Sequence, residues 1–304
     1  MKPFFFLFSC LFSMTTFAQN TVLPLWPNDI PNSIKTDEKE EVVSADIVRI
    51  AKVQVPQIEV YLPAKKIATG QAVLIFPGGG YGILAYDWEG TDFAKFLNGK
   101  GIAGIVVKYR LPNSKSVTEK HKVPLQDAQR AIRTVRSKAR EWNIDPHNIG
   151  IIGFSAGGHL ASTLGTHYNE VVYAKQDDID QLSARPDFMT LAYPVITLGE
   201  PNTHGGSRKN LLGENPTQQM VDHFSNELQV TTDTPPTFLL HASDDKAVPV
   251  ENSLLFYTAL VKNQVPAEMH IYPTGGHGFA LGLQERHLAS WTEQWVGWLT
   301  NLKN

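Results

Sequence analysis

Short segments dominated by apolar residues alternate with helical patterns through most of this 304-residue chain. Residues 72–76, 102–109 and 149–152 read as strands that are buried on both faces, and residues 124–142 carry apolar side chains at helical spacing. The further predicted strands are residues 188–193, 237–241 and 268–272, and the further predicted helices are residues 88–99, 250–263 and 286–301. This alternation predicts the α/β class, with a mostly parallel central sheet and helices on both faces.

Two segments depart from that alternation. Residues 45–50 and 58–62 are β-rich and flank a turn at Pro56, and we expect them to form an antiparallel pair at an edge of the sheet. Residues 196–235 are polar and contain Gly and Pro, so they are predicted to be a small insertion after the sixth strand, near the mouth of the site. The length fits one α/β domain, which we predict to span residues 19–304.

The first residues have the pattern of a secretory signal peptide. Lys2 is followed by a short apolar run, and no further charge appears until Asp29. The small residue Ala18 offers a cleavage site, which makes residues 1–18 the predicted signal peptide. We therefore expect an exported protein, periplasmic or extracellular, and no later segment is long enough to span a membrane. A lipoprotein signal that retains Cys10 as a lipid anchor is the alternative.

Composition excludes several classes of function. Hydrophobic residues make up 42% of the chain and charged residues 19%, as in ordinary globular proteins and unlike disordered chains. The formal net charge is −3, which gives no sign of the basic surface that a nucleic-acid-binding protein needs. The single cysteine lies in the predicted signal peptide, so no disulfide is expected in the mature domain.

The strongest chemical signal is GFSAGG at residues 153–158, which matches the pattern G-x-S-x-G. A buried strand precedes it and a helical pattern follows it. A serine at such a turn projects its hydroxyl out of the sheet, and the flanking glycines relieve the crowding of a tight turn. These features predict Ser155 as a nucleophile. A glycine-rich turn with an incidental serine is the structural alternative.

A serine hydroxyl needs a general base, and in this arrangement the acid and then the histidine follow the serine along the chain. Asp244 and Asp245 follow the predicted strand at 237–241, and His277 follows the last strand on a glycine-flanked loop. His277 is therefore predicted to be the base. Spacing does not separate the two aspartates, of which one would orient His277 and the other would be solvated or cap a helix.

Other histidines near these motifs fit the role of base less well. His159 lies one turn into the helix after Ser155 and is expected to brace that turn or to pack. His204 and His223 lie in the insertion and could at most touch the substrate. His241 ends a strand but comes before the acid, which is the wrong order.

Acyl transfer also needs donors for the oxygen that becomes negatively charged. The amide directly after the nucleophile, that of Ala156, is the first predicted donor. The second source is PGGGY at residues 77–81, which follows the first buried central strand and whose glycines let the backbone approach a ligand closely. The segment lacks the spacing of a phosphate-binding or dinucleotide-binding loop. A plain glycine turn is the alternative.

Together these segments resemble the acetyl-xylan-esterase-like carbohydrate esterases, a bacterial branch of the α/β-hydrolases related to hormone-sensitive lipase. The resemblance covers nearly the whole mature chain. It rests on PGGGY at 77–81, KYRL at 108–111, DAQRA at 127–131, GFSAGGH at 153–159, YPVI at 193–196, DDKAVP at 244–249 and GGHGF at 275–279. It implies the α/β-hydrolase fold and a serine esterase with no metal or organic cofactor.

The resemblance also implies roles that spacing leaves open. In such enzymes the acid lies four residues before the proline of the DDKAVP segment, which implies Asp245, and the loop pattern implies Gly79 and Gly80 as oxyanion donors. This chain has Pro77 where hormone-sensitive-lipase relatives have a histidine, so other contacts are expected to hold the loop. The acetyl group and the xylan come from the resemblance alone.

The expected partner is a small-molecule or oligosaccharide ester, cleaved through an acyl-enzyme. Tyr81 and Trp88 follow the glycine loop and could stack on sugar rings, unless they pack in the core. A serine peptidase or amidase of the same fold is one alternative, although such enzymes usually carry a large extra domain. A carbohydrate-binding relative without activity should have lost a catalytic residue, and a lipase needs an apolar lid that the polar segment 196–235 does not offer.

Overall fold

The structure of the protein is a computed structural model, and it describes residues 21–302. The predicted signal peptide at residues 1–18, with Cys10, lies outside the described residues. The strands are β1 (Thr21–Pro24), β2 (Glu41–Ser44), β3 (Val48–Ala51), β4 (Gln57–Tyr61), β5 (Ala72–Phe76), β6 (Leu84–Ala85), β7 (Ala103–Lys108), β8 (Ile149–Phe154), β9 (Met189–Ala192), β10 (Thr237–Ala242) and β11 (Ala267–Tyr272). The α-helices are α1 (Asp92–Gly99), α2 (Val123–Lys138), α3 (Ala156–His167), α4 (Gly205–Leu212), α5 (Gln218–His223), α6 (Glu251–Lys262), α7 (Arg286–Ala289) and α8 (Trp291–Asn301).

Eight of the strands form one sheet, in the order β1-β4-β7-β5-β8-β9-β10-β11. The strands from β7 to β11 in that order run parallel to one another, and only β4 and β1 at one edge pair antiparallel. Parallel strands need crossover connections, and the helical segments between the strands supply them. The predicted α/β class with a mostly parallel sheet is confirmed.

Hydrophobic side chains pack both faces of this sheet. Every residue of β5 is buried, and since neighbouring side chains on a strand point to opposite faces, both faces are covered. Leu74 belongs to the core on the side of α2, α3 and α6, whereas Val73 and Ile75 belong to the core on the side of α1 and α8. On α8, Trp291 and Trp295 are four residues apart, so they lie on one face of the helix, and both are fully buried.

The pairing predicted for the N-terminal strands is wrong. Residues 45–50 and 58–62 contain β3 and β4, but these two strands do not pair with each other. β3 pairs with β2 and β6 in a separate three-stranded sheet, and β4 lies between β1 and β7 in the large sheet. A β-rich sequence predicts a strand, but the partner depends on tertiary packing that the local pattern does not contain.

Two predicted helices differ in form from the expectation. The segment 88–99 begins as a π-helical turn at Asp87–Thr91 before α1, and the segment 286–301 divides at Ser290 into α7 and α8. The π-helical turn leaves Glu89 and Gly90 buried. Single π-helical turns are common near functional sites, and this one lies beside the glycine loop.

The carboxyl ends of the parallel strands meet at one edge of the sheet, where parallel α/β sheets bind ligands. The segments that follow β5, β8, β10 and β11 carry the glycine loop, Ser155, Asp245 and His277, respectively. Residues 196–235 follow β9, the sixth strand of the large sheet in chain order, and contain α4 and α5. Within residues 21–302, no helix has both the length and the apolar composition that a membrane crossing requires.

Candidate active site

Ser155 lies at the turn between β8 and α3, in a backbone conformation that costs free energy. Its φ is 52° and its ψ is −119°, a region that side-chain-bearing residues rarely adopt. The glycines around it are required by close backbone approach. A Cβ on Gly153 would lie 2.2 Å from the Gly157 carbonyl oxygen, and a Cβ on Gly157 would lie 2.1 Å from that of Phe76. The strained turn therefore raises the Ser155 side chain above the sheet edge.

Three side chains from three loops form one chain of hydrogen bonds. Ser155 Oγ lies 2.8 Å from His277 Nε2, and His277 Nδ1 lies 2.6 Å from Asp245 Oδ2. With a proton on Nδ1 donated to the carboxylate, the lone pair on Nε2 is left to accept from the Ser155 hydroxyl. The structure thus brings Ser155, His277 and Asp245 together, although they are far apart in sequence.

Asp245 is buried, but four donors surround its carboxylate. Oδ1 accepts from the amides of Ala247 and Val248, both at 2.9 Å, and Oδ2 accepts from His277 and, at 3.2 Å, from His241. Burial alone would raise the pKa of Asp245, but the hydrogen bonds from His241, His277 and the Val248 amide together hold it well below its ordinary value. The carboxylate is therefore ionised at neutral pH.

The adjacent aspartate has a different task. Asp244 is exposed, and its Oδ1 accepts from the Gly276 amide at 2.7 Å. That bond ties the loop that carries His277 to the loop that carries both aspartates. The structure therefore separates the two residues that spacing could not. Asp245 contacts the imidazole of His277, and Asp244 accepts from the amide of the preceding residue, Gly276.

His241 contacts the acid, which sequence order did not predict. Its Nε2 lies 3.2 Å from Asp245 Oδ2 and 3.0 Å from the Val248 carbonyl oxygen, and its Nδ1 lies 2.8 Å from Ser253 Oγ. His241 is completely buried at the end of β10. It therefore helps to fix the position of the carboxylate, through the same oxygen that His277 contacts.

Glu89 is a buried acid that the sequence analysis missed. Its Oε2 accepts from the Gly78 amide and its Oε1 accepts from the Tyr193 hydroxyl, both at 2.8 Å. Burial raises the pKa of Glu89, although both hydrogen bonds act in the opposite direction. The Tyr193 ring also lies edge-on against His277, with the ring centroids 5.2 Å apart. Glu89 thus links the glycine loop to a residue that packs on His277.

These contacts explain how the glycine loop is held although position 77 is a proline and not a histidine. The Tyr109 hydroxyl donates to the Pro77 carbonyl oxygen at 2.7 Å, while Glu89 holds the next amide, that of Gly78. Gly78 also has no room for a side chain, since a Cβ there would lie 2.6 Å from Glu89 Oε2. Because its N–H already donates to Glu89, Gly78 is not available as an oxyanion donor.

The next two amides of the loop remain available. Gly79 and Gly80 line the same cavity as Ser155, at φ values of +129° and +63°. No acceptor for either N–H was found among residues 21–302. The Asn210 side chain, from α4 in the insertion, donates to the Gly80 carbonyl oxygen at 2.8 Å and so holds the peptide that follows the Gly80 N–H. Ala156 is the first residue of α3, where an amide N–H has no partner within the helix.

The cavity above Ser155 has a volume of about 670 Å³, within the range of small-molecule sites. Ser155, His277 and Trp88 line it, with Asp46 from the turn between β2 and β3 on its rim. Trp88 Nε1 donates to the Gly278 carbonyl oxygen at 2.8 Å, which fixes the indole beside the His277 loop. Trp88 therefore lines the cavity and also packs against the core, so it combines the two roles that the sequence analysis left open.

The structure corrects the expectation for Tyr81. This side chain is 1% exposed and does not line the cavity, so it has no surface on which a sugar could stack. Its hydroxyl lies 2.9 Å from His159 Nδ1, and His159 Nε2 lies 2.8 Å from the Phe224 carbonyl oxygen. Burial lowers the pKa of His159 to about 4, so this imidazole is neutral at pH 7. Tyr81 and His159 brace the loop and the turn from below.

The two histidines of the insertion lie in different places. His204 lines the cavity, with its Nδ1 accepting from the Ser207 amide at 3.2 Å. His223 lies instead at the far end of α3, where its ring packs against His167. Of the two, His204 is placed to touch a ligand above Ser155, whereas His223 lies away from the cavity.

Two family models and several known proteins are similar to this chain. A family model described as BD-FAE matches residues 58–260, and a model described as the dienelactone hydrolase family matches residues 222–301. The chain is 40% identical to the acetyl ester-xyloside bifunctional hydrolase from Caldicellulosiruptor lactoaceticus, whose crystal structure aligns with a TM-score of 0.80 over 92% of this chain and 95% of that one.

Two curated relatives are larger than this chain. Endo-1,4-beta-xylanase B of Butyrivibrio fibrisolvens is 38% identical over 76% of this chain and 36% of its own length. Acetylxylan esterase of Xylanibacter ruminicola is 34% identical over 81% of this chain and 48% of its own length. The chain thus spans between a third and a half of the length of these relatives.

Proposed function

The chain belongs to the BD-FAE family and has the α/β-hydrolase fold, and from this we propose that it is a serine esterase that removes acyl groups, acetyl in particular, from plant polysaccharides or their oligosaccharides. The observation that carries the chemistry is the chain of hydrogen bonds from Ser155 through His277 to Asp245. The xylan-related substrate class is supported by the names of the relatives, an acetylxylan esterase and an acetyl ester-xyloside hydrolase.

The first half of the proposed reaction forms an acyl-enzyme. His277 Nε2 takes the Ser155 proton as Oγ bonds to the ester carbonyl carbon, and the ionised Asp245 stabilises the imidazolium that results. The carbonyl oxygen becomes an oxyanion. The proposed donors to it are the backbone amides of Gly79, Gly80 and Ala156. When the tetrahedral intermediate collapses, the bond to the sugar oxygen breaks and His277 returns its proton to that oxygen.

The second half repeats these steps with water. His277 removes a proton from a water molecule as its oxygen attacks the acyl carbon, and the same donors hold the second oxyanion. The bond from the carbonyl carbon to Ser155 Oγ then breaks, the proton on His277 returns to Oγ, and the carboxylic acid leaves. Asp245 stays a carboxylate throughout, in agreement with its lowered pKa.

Hydrolysis of p-nitrophenyl acetate and acetate release from acetylated xylan test this proposal. We expect the purified wild type to cleave both substrates and Ser155→Ala to lose about 10⁴- to 10⁶-fold in kcat on each. Ser137→Ala, which changes a serine near the end of α2, should retain wild-type rates and serves as the matched control. Wild-type rates in Ser155→Ala would overturn the assignment of the nucleophile.

Two further substrates separate the alternatives. A serine peptidase or amidase would cleave p-nitroacetanilide at rates comparable with the ester, whereas an esterase should favour the ester by a large factor. A carbohydrate-binding relative without activity would bind xylo-oligosaccharides and release no acetate. Faster cleavage of acetylated xylan than of amides is the result that supports the proposal.

Export through the segment 1–18 also forms part of the proposal, because a polymeric substrate is met outside the cytoplasm. The basis is the pattern of Lys2, the apolar run and Ala18. Mass spectrometry of the protein recovered from its natural host should find Gln19 at the N-terminus. An N-terminus at Cys10 with attached lipid would favour the lipoprotein alternative.

A further inference from the structure

A second cluster of titratable side chains lies at the other end of α3 from Ser155. His167 ends α3, Glu170 lies in the following loop, and His223 ends α5. One ligand atom of each residue, an imidazole nitrogen or a carboxylate oxygen, lies within 4.8 Å of the other two. At about 1.5 Å per residue, the length of α3 separates this cluster from Ser155 by about 18 Å. The cluster is therefore distinct from the candidate active site.

His167 is the residue of this cluster whose side chain is buried. It is 7% exposed, and its Nδ1 lies 2.8 Å from Thr166 Oγ1. Its Nε2 is buried and makes no hydrogen bond of ordinary geometry within residues 21–302, although the backbone of His223 lies close enough to act on the ring. Burying a polar nitrogen without a partner is unfavourable, whereas a bound cation would use the Nε2 lone pair while Nδ1 keeps its contact.

The donor set and its spacing identify the class of ligand. Two imidazoles and one carboxylate suit zinc and similar divalent ions of the first transition row. His223 Nε2 lies 3.3 Å from Glu170 Oε2, and a tetrahedral ion with bonds of about 2.1 Å holds its ligands about 3.4 Å apart. We propose that His167, Glu170 and His223 bind one divalent transition-metal ion of the zinc type.

The charges in the cluster agree with this ligand. Glu170 and His223 already form a direct contact, and His167 lies buried beside them. The contact with Glu170 raises the pKa of His223, so metal binding must displace a proton there at acidic pH. Lys122 and His121 are the other titratable groups close to Glu170, and their positive charge would moderate the affinity.

The position of the cluster suggests a structural rather than a catalytic ion. α3 packs on the central sheet, whereas α5 belongs to the segment 196–235, which also supplies Asn210 to the glycine loop. An ion bound here would fasten that segment to the core. The side chains of His223 and Glu170 are 42% and 36% exposed, so an ion can enter from solvent and water can complete its coordination.

Zinc titration of the full chain, without a polyhistidine tag and after dialysis against a chelator, tests the proposal. Competition with a chromophoric chelator should give one Zn²⁺ per chain with a micromolar or tighter Kd. Zn²⁺ at about 100 times Kd should raise Tm by about 5 °C. Bound Co²⁺ should show the visible absorption of a low-coordinate nitrogen- and oxygen-ligated ion.

Two of the three ligands are only partly buried, so they allow variants that keep the fold. His223→Gln and Glu170→Gln should each weaken Zn²⁺ binding on the order of 100-fold or more and abolish the Co²⁺ spectrum. His147→Gln, at an exposed histidine, should bind as the wild type does, and so should Ser155→Ala. A wild-type Kd weaker than millimolar, or wild-type binding in either of the two ligand variants, would overturn the site.

Discussion

Two buried carboxylates close to His277, those of Asp245 and Glu89, have pKa values that shift in opposite directions. They are buried to a similar degree, with exposures of 8% and 4%. Asp245 accepts from two imidazoles and two amides, and its pKa is lowered despite burial. Glu89 accepts from one amide and one phenol, and burial raises its pKa.

The comparison teaches that two acids of similarly low exposure can differ in pKa, because the donors around Asp245 outweigh the effect of burial and those around Glu89 do not. Imidazoles can become cations, so the Asp245 carboxylate is prepared for the imidazolium that His277 forms during the proposed reaction. The donors to Glu89 are neutral. Its contribution is geometric, because it joins Gly78 of the glycine loop to Tyr193, whose ring packs on His277.

The largest expected effect follows from removing the charge of Asp245. Asp245→Asn should lower kcat by about 10⁴-fold, because the amide favours the wrong tautomer of His277 and cannot stabilise its cation. Asp244→Asn is the matched control, since an asparagine oxygen can still accept from the Gly276 amide, and a change below about threefold is expected. Steady-state kinetics on p-nitrophenyl acetate measure both. Equal losses in the two variants would contradict the division of roles.

Removing Glu89 should have an intermediate effect. Glu89→Ala leaves the Gly78 amide and the Tyr193 hydroxyl without their acceptor, so the glycine loop loses its fixed position and kcat should fall by about 10- to 100-fold. Glu89→Gln keeps one acceptor oxygen and should lose less. A pH–rate profile of unchanged shape in both variants would fit a positioning residue. A shifted profile would indicate that Glu89 takes part in proton transfer.

Tyr193→Phe should have a smaller effect on the rate than either acid. The ring that packs on His277 remains, but Glu89 loses a donor and the Ala280 amide loses its acceptor, at 3.1 Å. The free energy of unfolding should fall by about 1–3 kcal/mol, whereas kcat should fall only a few-fold. Urea unfolding and kinetics on the same preparation test this. A loss of kcat as large as that of Asp245→Asn would contradict the comparison.

The smallest effect is the pH dependence of stability, for which the two acids should have opposite signs. The folded-state pKa of Asp245 lies below its ordinary value of 3.8, so its stabilisation is full above that value and is lost as the pH falls below it. The folded-state pKa of Glu89 lies above its ordinary value of 4.5, so its contribution falls as the pH rises above 4.5.

Urea unfolding of the wild type, Asp245→Asn and Glu89→Gln between pH 3 and 7 measures these contributions, with slopes of at most about 1.4 kcal/mol per pH unit. The difference in free energy of unfolding between wild type and Asp245→Asn should increase as the pH rises from 3. The difference in free energy of unfolding between wild type and Glu89→Gln should decrease as the pH rises above 4.5. The same sign for both differences would contradict the assignment.

The sequence predicts one of these two regions much better than the other. The apolar strand and the glycines of residues 153–158 are local signals, and the order of Ser155, Asp245 and His277 along the chain fits the family that the sequence resembles. The hydrogen-bond geometry agrees with both. Glu89 carries no such signal. It is one acid at the start of a predicted helix, and its burial depends on a π-helical turn and on the distant Tyr193.

Other misses have the same cause. Tyr81 follows the glycine loop in sequence, but its φ of 60° turns the side chain down onto His159 instead of toward the cavity. The partners of β3 and β4 depend on strands that are distant in sequence or very short. His223 meets His167 only because α5 folds back over the end of α3. Each depends on tertiary contacts that no local pattern contains.

Covalent labelling with a fluorophosphonate tests the central claim most directly, because the reagent forms a bond from phosphorus to an activated serine oxygen and releases fluoride. Intact-protein and peptide mass spectrometry should find one adduct per chain, on Ser155, with loss of esterase activity in proportion to labelling. Ser155→Ala should take up no label, and Asp245→Asn should be labelled far more slowly than Asp244→Asn. An adduct on another residue, or full esterase activity in fully labelled protein, would contradict the account.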